Sequence, residues 1–384
     1  MKRREFLTAI GAASVAAVFP SIAAAAEGSY GNLLILVELK GGNDGLNTVV
    51  PYGASEYYAL RPRLAIARDQ VLQLDPKTGL HPALQPLMPL WQARELAVVQ
   101  GLGYPKANLS HFRSIEIWDT AAHSNEYLPE GWLARAFAQV PAPRSYAADG
   151  VVVGGADLGP LSGAGTRAIA LTDTEQFLRQ ARLAAPSAQV RGGALQHILR
   201  VESDIVQAAG NLGGEHAFAT AFPNTPFGNA VRTAARVVAT KAGVAVIKVA
   251  LNGFDTHSGQ VATQARLLKD LADGLAALKS ALVETGRWET TLVATYAEFG
   301  RRPRENQSGG TDHGTASAHF VLGGRVAGGL YGHGPELGRL DGNGNLAHVV
   351  DFREVYATIL QRWWGLDSQA ALRGRYAPLR LIRA

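Results

Sequence analysis

The sequence predicts a three-layer α/β/α sandwich built on a mostly parallel sheet. Two observations carry that expectation. Short, nearly continuous apolar runs alternate along the chain with amphipathic helical stretches. The polar residues capable of chemistry fall just after the ends of those runs, where open parallel sheets place their functional sites. A run that is apolar at almost every position suits a strand buried on both faces, and parallel sheets covered by helices supply that environment.

The first such run, residues 32–39 (NLLILVEL), stops at the Gly-rich turn KGGNDGLN, residues 40–47. A helical segment around 86–94 leads to a second strand at 95–101. After a loop at 103–109, residues 110–118 (SHFRSIEIW) have helical spacing. Residues 140–190 are less regular, with Pro141, Pro143 and a Gly/Ser patch at 159–165, and are expected to form a cap or insertion of short strands. Helical pattern dominates 193–242, with breaks at 211–214 and at PNTP, 223–226. A third strand, 244–251, ends in NGFDTH, residues 252–257, and a long amphipathic helix spans 260–285. A fourth strand, 290–296, leads to EFGR, residues 298–301. A loop containing Asp312 and His313 then runs into an apolar stretch at 319–323, and a C-terminal helix covers 355–364. No internal repeat appears, and residues 27–384 read as one domain.

The N-terminus has a different character. Arg3 and Arg4 precede a mostly apolar stretch at 6–18, and small residues at 23–26 precede Glu27. This pattern reads as a twin-arginine export signal cleaved after residue 26. It gives a periplasmic or secreted destination and makes the twin-arginine translocase a partner during export. A retained membrane anchor fits less well, because the run is short, contains Gly11 and is followed by Pro20. No later stretch approaches the ~18 consecutive apolar residues of a membrane span. The absence of Cys excludes a disulfide framework and thiolate chemistry. Removing Lys2, Arg3, Arg4 and Glu5 lowers the formal charge from +5 to +3, too mild a balance to call for a nucleic-acid partner.

The expected strand ends gather a polar constellation. The first delivers Asp44, the third Asp255 and His257, and the fourth Glu298; Asp312 and His313 follow one loop later. In extended backbone, residues i and i+2 point to the same side, so Asp255 and His257 can reach one ion. Glycines around Asp312-His313 permit the bend that two adjacent side chains need to converge. Mixed carboxylate and imidazole donors suit Zn or Mn, and less well Mg or Ca. Ser110 precedes an apolar-periodic stretch. It is therefore placed either as a plain helix cap or as a nucleophile activated by a metal and the helix N-terminus. Arg113, three residues on, is positioned to hold the oxygens of a phosphate or sulfate, and His111 to serve as an outer partner or general acid. Asp44 has the simpler reading of a turn residue. His81, His123, His197, His216, His333 and His348 belong to no partnered motif and read as structural or surface residues. Trp118 and Trp132 read as core or pocket wall. No Ser lies in the G-x-S-x-G elbow of a metal-free α/β esterase.

Across most of the chain after the signal, Asp44, Ser110, Asp255/His257, an acid after the next strand and a late His resemble the alkaline phosphatase superfamily. More closely, KGGNDGLN, SHFRS, GFDTH, EFGR and GGTDHG look like a twin-arginine-exported bacterial family of unknown function that is grouped with it. The superfamily resemblance implies an alkaline phosphatase-like fold, two divalent metals and a Ser or Thr nucleophile. The sequence departs from the superfamily pattern in two places. The usual Asp-x-x-x-His is shortened to Asp255-Thr-His257, and the usual Asp-His after a strand is replaced by Glu298-Phe299, with Asp312-His313 displaced into the next loop. Two ligand alignments follow. In one, Asp44, Ser110, Asp312 and His313 hold one metal, while Asp255, His257 and His319 hold the other. In the second, Glu298 joins Asp44 and Ser110, and His313 completes the Asp255/His257 site. Ser110 lacks the following Pro and Arg spacing of formylglycine formation, which weakens a sulfatase reading. The expected activity is an exported metal-dependent hydrolase or transferase acting on phosphate, less readily sulfate, esters of a small molecule or polysaccharide. The altered ligand spacing keeps a second expectation open: a non-catalytic exported protein that binds or assembles on envelope polysaccharide.

Overall fold

The computed structural model describes residues 30–171, 216–240 and 243–383. The expected export signal and the helical pattern expected at 193–215 lie outside them. Nine strands form the main sheet: β1 (Leu33–Lys40), β2 (Leu96–Gly103), β3 (Ala148–Val153), β4 (Ala168–Leu171), β5 (Val244–Asn252), β6 (Thr291–Tyr296), β7 (Ser317–Leu322), β8 (Gly329–Tyr331) and β9 (Val350–Asp351). Their spatial order is β8-β2-β7-β6-β1-β5-β3-β4, with β9 paired to β2. Every pairing is parallel except those of β7, which runs against both β2 and β6. The fold is therefore mixed α/β with a large, mostly parallel sheet.

β1 sits in the middle of the sheet, and its composition explains why. Leu33, Ile35, Val37 and Leu39 face one hydrophobic layer, while Leu34 and Leu36 face the other. Side chains alternate across a strand, so only a strand covered on both faces can be apolar at consecutive positions. Each such side chain contributes roughly 1.5–3 kcal/mol on burial. The first layer is made by α4 (Pro226–Ala239) and α5 (Gln260–Glu284). α5 buries Leu267, Leu268, Leu271, Leu275, Leu278 and Leu282, a stripe at three- and four-residue spacing. α4 starts where Thr225 accepts a bond from the Gly228 N–H at 3.0 Å and Pro226 occupies the first turn. The second layer is α2 (His111–Thr120), α3 (Trp132–Gln139) and α6 (Phe352–Thr358). Trp118 stacks on Phe352 with ring centroids 4.3 Å apart and Trp132 on Tyr356 at 4.4 Å, so both indoles belong to this core.

One expectation needs correction. The irregular segment read as a cap supplies β3 and β4 to the main sheet; its short Gly-interrupted runs are parallel strands next to β5. Residues 172–190 of that segment lie outside the described residues. The C-terminal helix, expected to contain 355–364, starts at Phe352, where Asp351 and Glu354 form a reciprocal capping box, and it ends in a π-helical turn, Ile359–Trp363. α1 (Gly45–Thr48), a single turn after β1, completes the carboxyl edge of the sheet.

Candidate metal centre

The segments leaving β1, β5 and β6 and the start of α2 meet at the carboxyl edge. Gly41 and Gly42 make that meeting possible. Both have positive φ (110° and 75°); a Cβ on Gly41 would lie 2.3 Å from the Asp255 nitrogen, and one on Gly42 would lie 2.4 Å from the Phe299 ring. The Gly41 N–H donates to Glu298 Oε1 at 2.9 Å, tying the first turn to the one after β6.

Three imidazoles gather there around the Asp255 carboxylate. His111 Nε2 lies 3.5 Å from Asp255 Oδ2, while His257 Nε2 and His313 Nε2 lie 3.0 and 3.2 Å from Asp255 Oδ1. The two Nε2 atoms of His257 and His313 are 3.0 Å apart. Their partners on the other ring nitrogen fix how the rings are protonated. His111 Nδ1 faces Glu298 Oε1 at 2.8 Å, and His313 Nδ1 faces the Leu109 carbonyl at 2.8 Å. A carboxylate or carbonyl oxygen only accepts, so both Nδ1 atoms carry the proton, and in the neutral ring Nε2 is left with a lone pair. His257 Nδ1 faces Asp312 Oδ1 at a longer 3.5 Å.

The electrostatics keep this arrangement rich in acceptors. Partial burial pushes the Asp255 carboxyl up, but the Arg301 guanidinium, 2.6 Å from Oδ1, outweighs it with His313 and His257 and holds the group at about 2. Burial lowers the His313 imidazole below its usual range, against the opposing pull of Leu109 and Asp255. Lone pairs on His111, His313 and Asp255 therefore face one another, with His257 alongside, and a cation placed among them relieves that opposition. Among the described residues, His111, Asp255 and His313 form one group whose ligand atoms all lie within 4.8 Å of one another. The donor chemistry fits a zinc-like divalent ion, because each imidazole has an acceptor behind it.

The other expected site residues are placed differently. Glu298 is buried and orients His111, while its Oε2 has no hydrogen-bond partner among the described residues. Asp312 is exposed, bonded to Asn306 at 3.2 Å, and stands behind His257. Asp44 is fully engaged elsewhere: Arg61 pairs with both its oxygens, Gln260 donates to Oδ2, and the Leu46 N–H donates to Oδ1 at 3.1 Å. It therefore caps α1 inside a buried ion pair and does not face the imidazoles. Arg113 points away as well, donating to the carbonyls of His123, Ser124 and Glu126 and pairing with Glu116 at 2.8 Å. Because α2 turns by about 100° per residue, Arg113 faces a different way from His111. Ser110 is exposed at the N-cap of α2, and its hydroxyl makes no capping bond. In this geometry His313 lies with Asp255 and His257, while Asp44 lies with Arg61.

His319 lies in the interior of β7, with Nδ1 3.4 Å from Thr295 Oγ1 and Nε2 unpartnered. Burial lowers it to about 3, and burial lowers His81 to about 4 against the raising influence of Asp44. Both rings fold neutral. Below the unfolded value near 6.5, the unfolded chain binds protons that the folded chain refuses, so stability falls as pH drops from 6.5 toward 4. Between pH 7 and pH 5 each ring should lose about 2 kcal/mol of stability. Urea unfolding at the two pH values checks this, and His319→Gln should reduce the difference by about one ring's share.

Two residues essential to this geometry carried little sequence signal. Arg301 lies in EFGR beside Glu298, and its charge next to a strand end was the available hint. Arg61 sits 17 residues from Asp44 with nothing in the spacing to connect them.

Comparison with known proteins identifies the family. Residues 66–375 match the family described as "Protein of unknown function (DUF1501)". The chain belongs to that family. No curated protein matches it. Similar solved structures include a protein in the alkaline phosphatase superfamily from Vibrio parahaemolyticus (9% identity, 90% of this chain and 69% of that one, TM-score 0.43). The PsFucS1 sulfatase from Pseudoalteromonas sp. is similar at 9% identity, covering 91% of this chain and 70% of that one, with TM-score 0.39. The C-terminal periplasmic domain of EcEptC from Escherichia coli, in complex with Zn, is similar at 10% identity, 77% and 74% coverage and TM-score 0.37. Among the described residues, no helix is long and apolar enough to cross a membrane.

Proposed function

We propose that this chain is an exported, metal-dependent hydrolase or transferase acting on phosphate, less readily sulfate, esters. The observation that carries the reading is the convergence of His111, His257, His313 and Asp255, with acceptors behind the three imidazoles. A divalent ion of the zinc or manganese type, once bound, would supply Lewis-acid stabilisation of ester oxygens and lower the pKa of a nearby hydroxyl. His111, His257, His313 and Asp255 would hold it; Glu298, Asp312 and the Leu109 carbonyl would orient the ligands. Ser110, exposed one residue before His111, is the proposed nucleophile: its oxygen forms the new ester bond as the substrate's leaving oxygen departs, and water or an alcohol resolves the intermediate. With Arg113 turned away, anion binding at this edge would fall to the α2 N-terminus and its backbone N–H groups. The Arg3-Arg4 signal supports a periplasmic location and export by the twin-arginine translocase.

In Ser110→Ala, turnover of an aryl phosphate should fall by roughly 10³-fold or more while zinc content stays that of the parent. Unchanged turnover would remove Ser110 from the reaction. The commitment of Asp44 to Arg61 favours the second reading, a non-catalytic exported binding protein. Zinc content well below one ion per chain in protein purified from the periplasm would decide for it.

A further inference from the structure

A separate cavity of about 300 Å³ opens at the carboxyl end of β2, between α1, the start of β7 and the loops carrying His333 and His348. It shares a wall with the candidate metal centre, because the Arg301 guanidinium that pairs with Asp255 also lines it. Gln100, the fifth residue of β2, lines the cavity and is only 5% exposed, yet its side-chain amide bonds to no described residue. The amide opens onto the cavity, where a ligand or water can satisfy it. The neighbouring Gly101 (φ 65°) takes a left-handed turn against Val349 and lines the same cavity.

The charges around the cavity restrict what it can hold. Arg301 gives its Nε N–H to the Gly42 carbonyl, one Nη1 N–H to the Thr311 carbonyl and its Nη2 group to Gly41, Phe254 and the Asp255 carboxylate, so most of its donors and its charge are committed. An anion entering the cavity would meet that committed cation and the exposed Glu336 carboxylate. Leu46, Val49 and Leu346 supply apolar walls. The volume admits a ligand of on the order of ten heavy atoms. We propose that this cavity binds an uncharged, hydrogen-bonding ligand the size of one sugar residue, with the Gln100 amide offering a donor and an acceptor to adjacent hydroxyl or acetamido groups. The imidazoles of His333 and His348, which belong to no catalytic motif, line the same cavity and add polar partners. The proposal stands independently of the metal chemistry.

Titration calorimetry and ligand-observed NMR on the full chain test it with glucose, N-acetylglucosamine and, as the charged control, glucose 6-phosphate. The expected result is saturable binding of at least one neutral sugar at roughly millimolar affinity. Gln100→Leu should weaken it at least tenfold, and Ala347→Trp, at an exposed lining position, should block it. Absence of saturable binding by either neutral sugar would overturn the proposal. So would tighter binding of glucose 6-phosphate than of glucose, or affinity unaltered in both variants. Circular dichroism confirms that each variant is folded, and Ala347→Trp keeps the test decisive where Gln100→Leu does not fold.

Discussion

Asp255→Asn should weaken zinc binding by on the order of 100-fold or more, because loss of an outer partner alone typically costs 10–100-fold and Asp255 is proposed as a direct ligand. Among the described residues it is the carboxylate that faces His111, His257 and His313 together. Asn keeps an oxygen that can accept from Arg301, so the change removes charge and leaves most of the packing. Chelator competition on the purified chain measures the effect, with circular dichroism as the control for folding. His313→Ala should act in the same direction. Asp312→Asn should cost less, about 10-fold, since Asp312 is exposed and lies 3.5 Å behind His257. Undiminished zinc affinity in both Asp255→Asn and His313→Ala would dismiss the proposed centre.

The second large effect concerns stability. Arg61 and Asp44 are fully buried, and their forked pairing is surrounded by further bonds: Arg61 donates to Asn47 Oδ1 at 2.8 Å and to the Pro303 carbonyl at 2.7 Å. Removing one partner leaves a buried charge uncompensated, so Asp44→Ala should destabilise the protein by about 3–5 kcal/mol. Denaturant unfolding measures it. Zinc affinity of the folded fraction should stay that of the parent, because Asp44 points into the Arg61 pair. A fall in zinc affinity comparable to that of Asp255→Asn would return Asp44 to the ligand set.

These two residues mark how far the sequence could be read. Asp255 and His257 were legible because they are two apart just beyond a strand, a spacing that aims both side chains the same way. His313 and Glu298 were legible as candidates from their glycine-rich and strand-end contexts. The pairing of His313 with Asp255 stood as one of two alignments, and with 58 residues between them the spacing gave no ground for choosing. Arg113 was misplaced for a related reason: proximity to Ser110 along the chain says little about direction on a helix that advances by about 100° per residue. His319 looked like a ligand as a late His, but β7 runs antiparallel between β2 and β6 and buries it.

By itself, the sequence determined the central strands of the sheet. Nearly continuous apolar runs such as 33–39 have one low-energy fate, burial on both faces, and the turns after them carry the glycines that fit close backbone approaches. Tertiary structure alone decided which acids pair with cations and which face imidazoles. Asp44 and Asp255 both follow strands at the same edge, yet Arg61 encloses one while Arg301 leaves the other turned toward three Nε2 atoms. Local pattern reports the free energy of burying a segment. Charge pairing depends on distances between segments, and only the packed chain sets those distances.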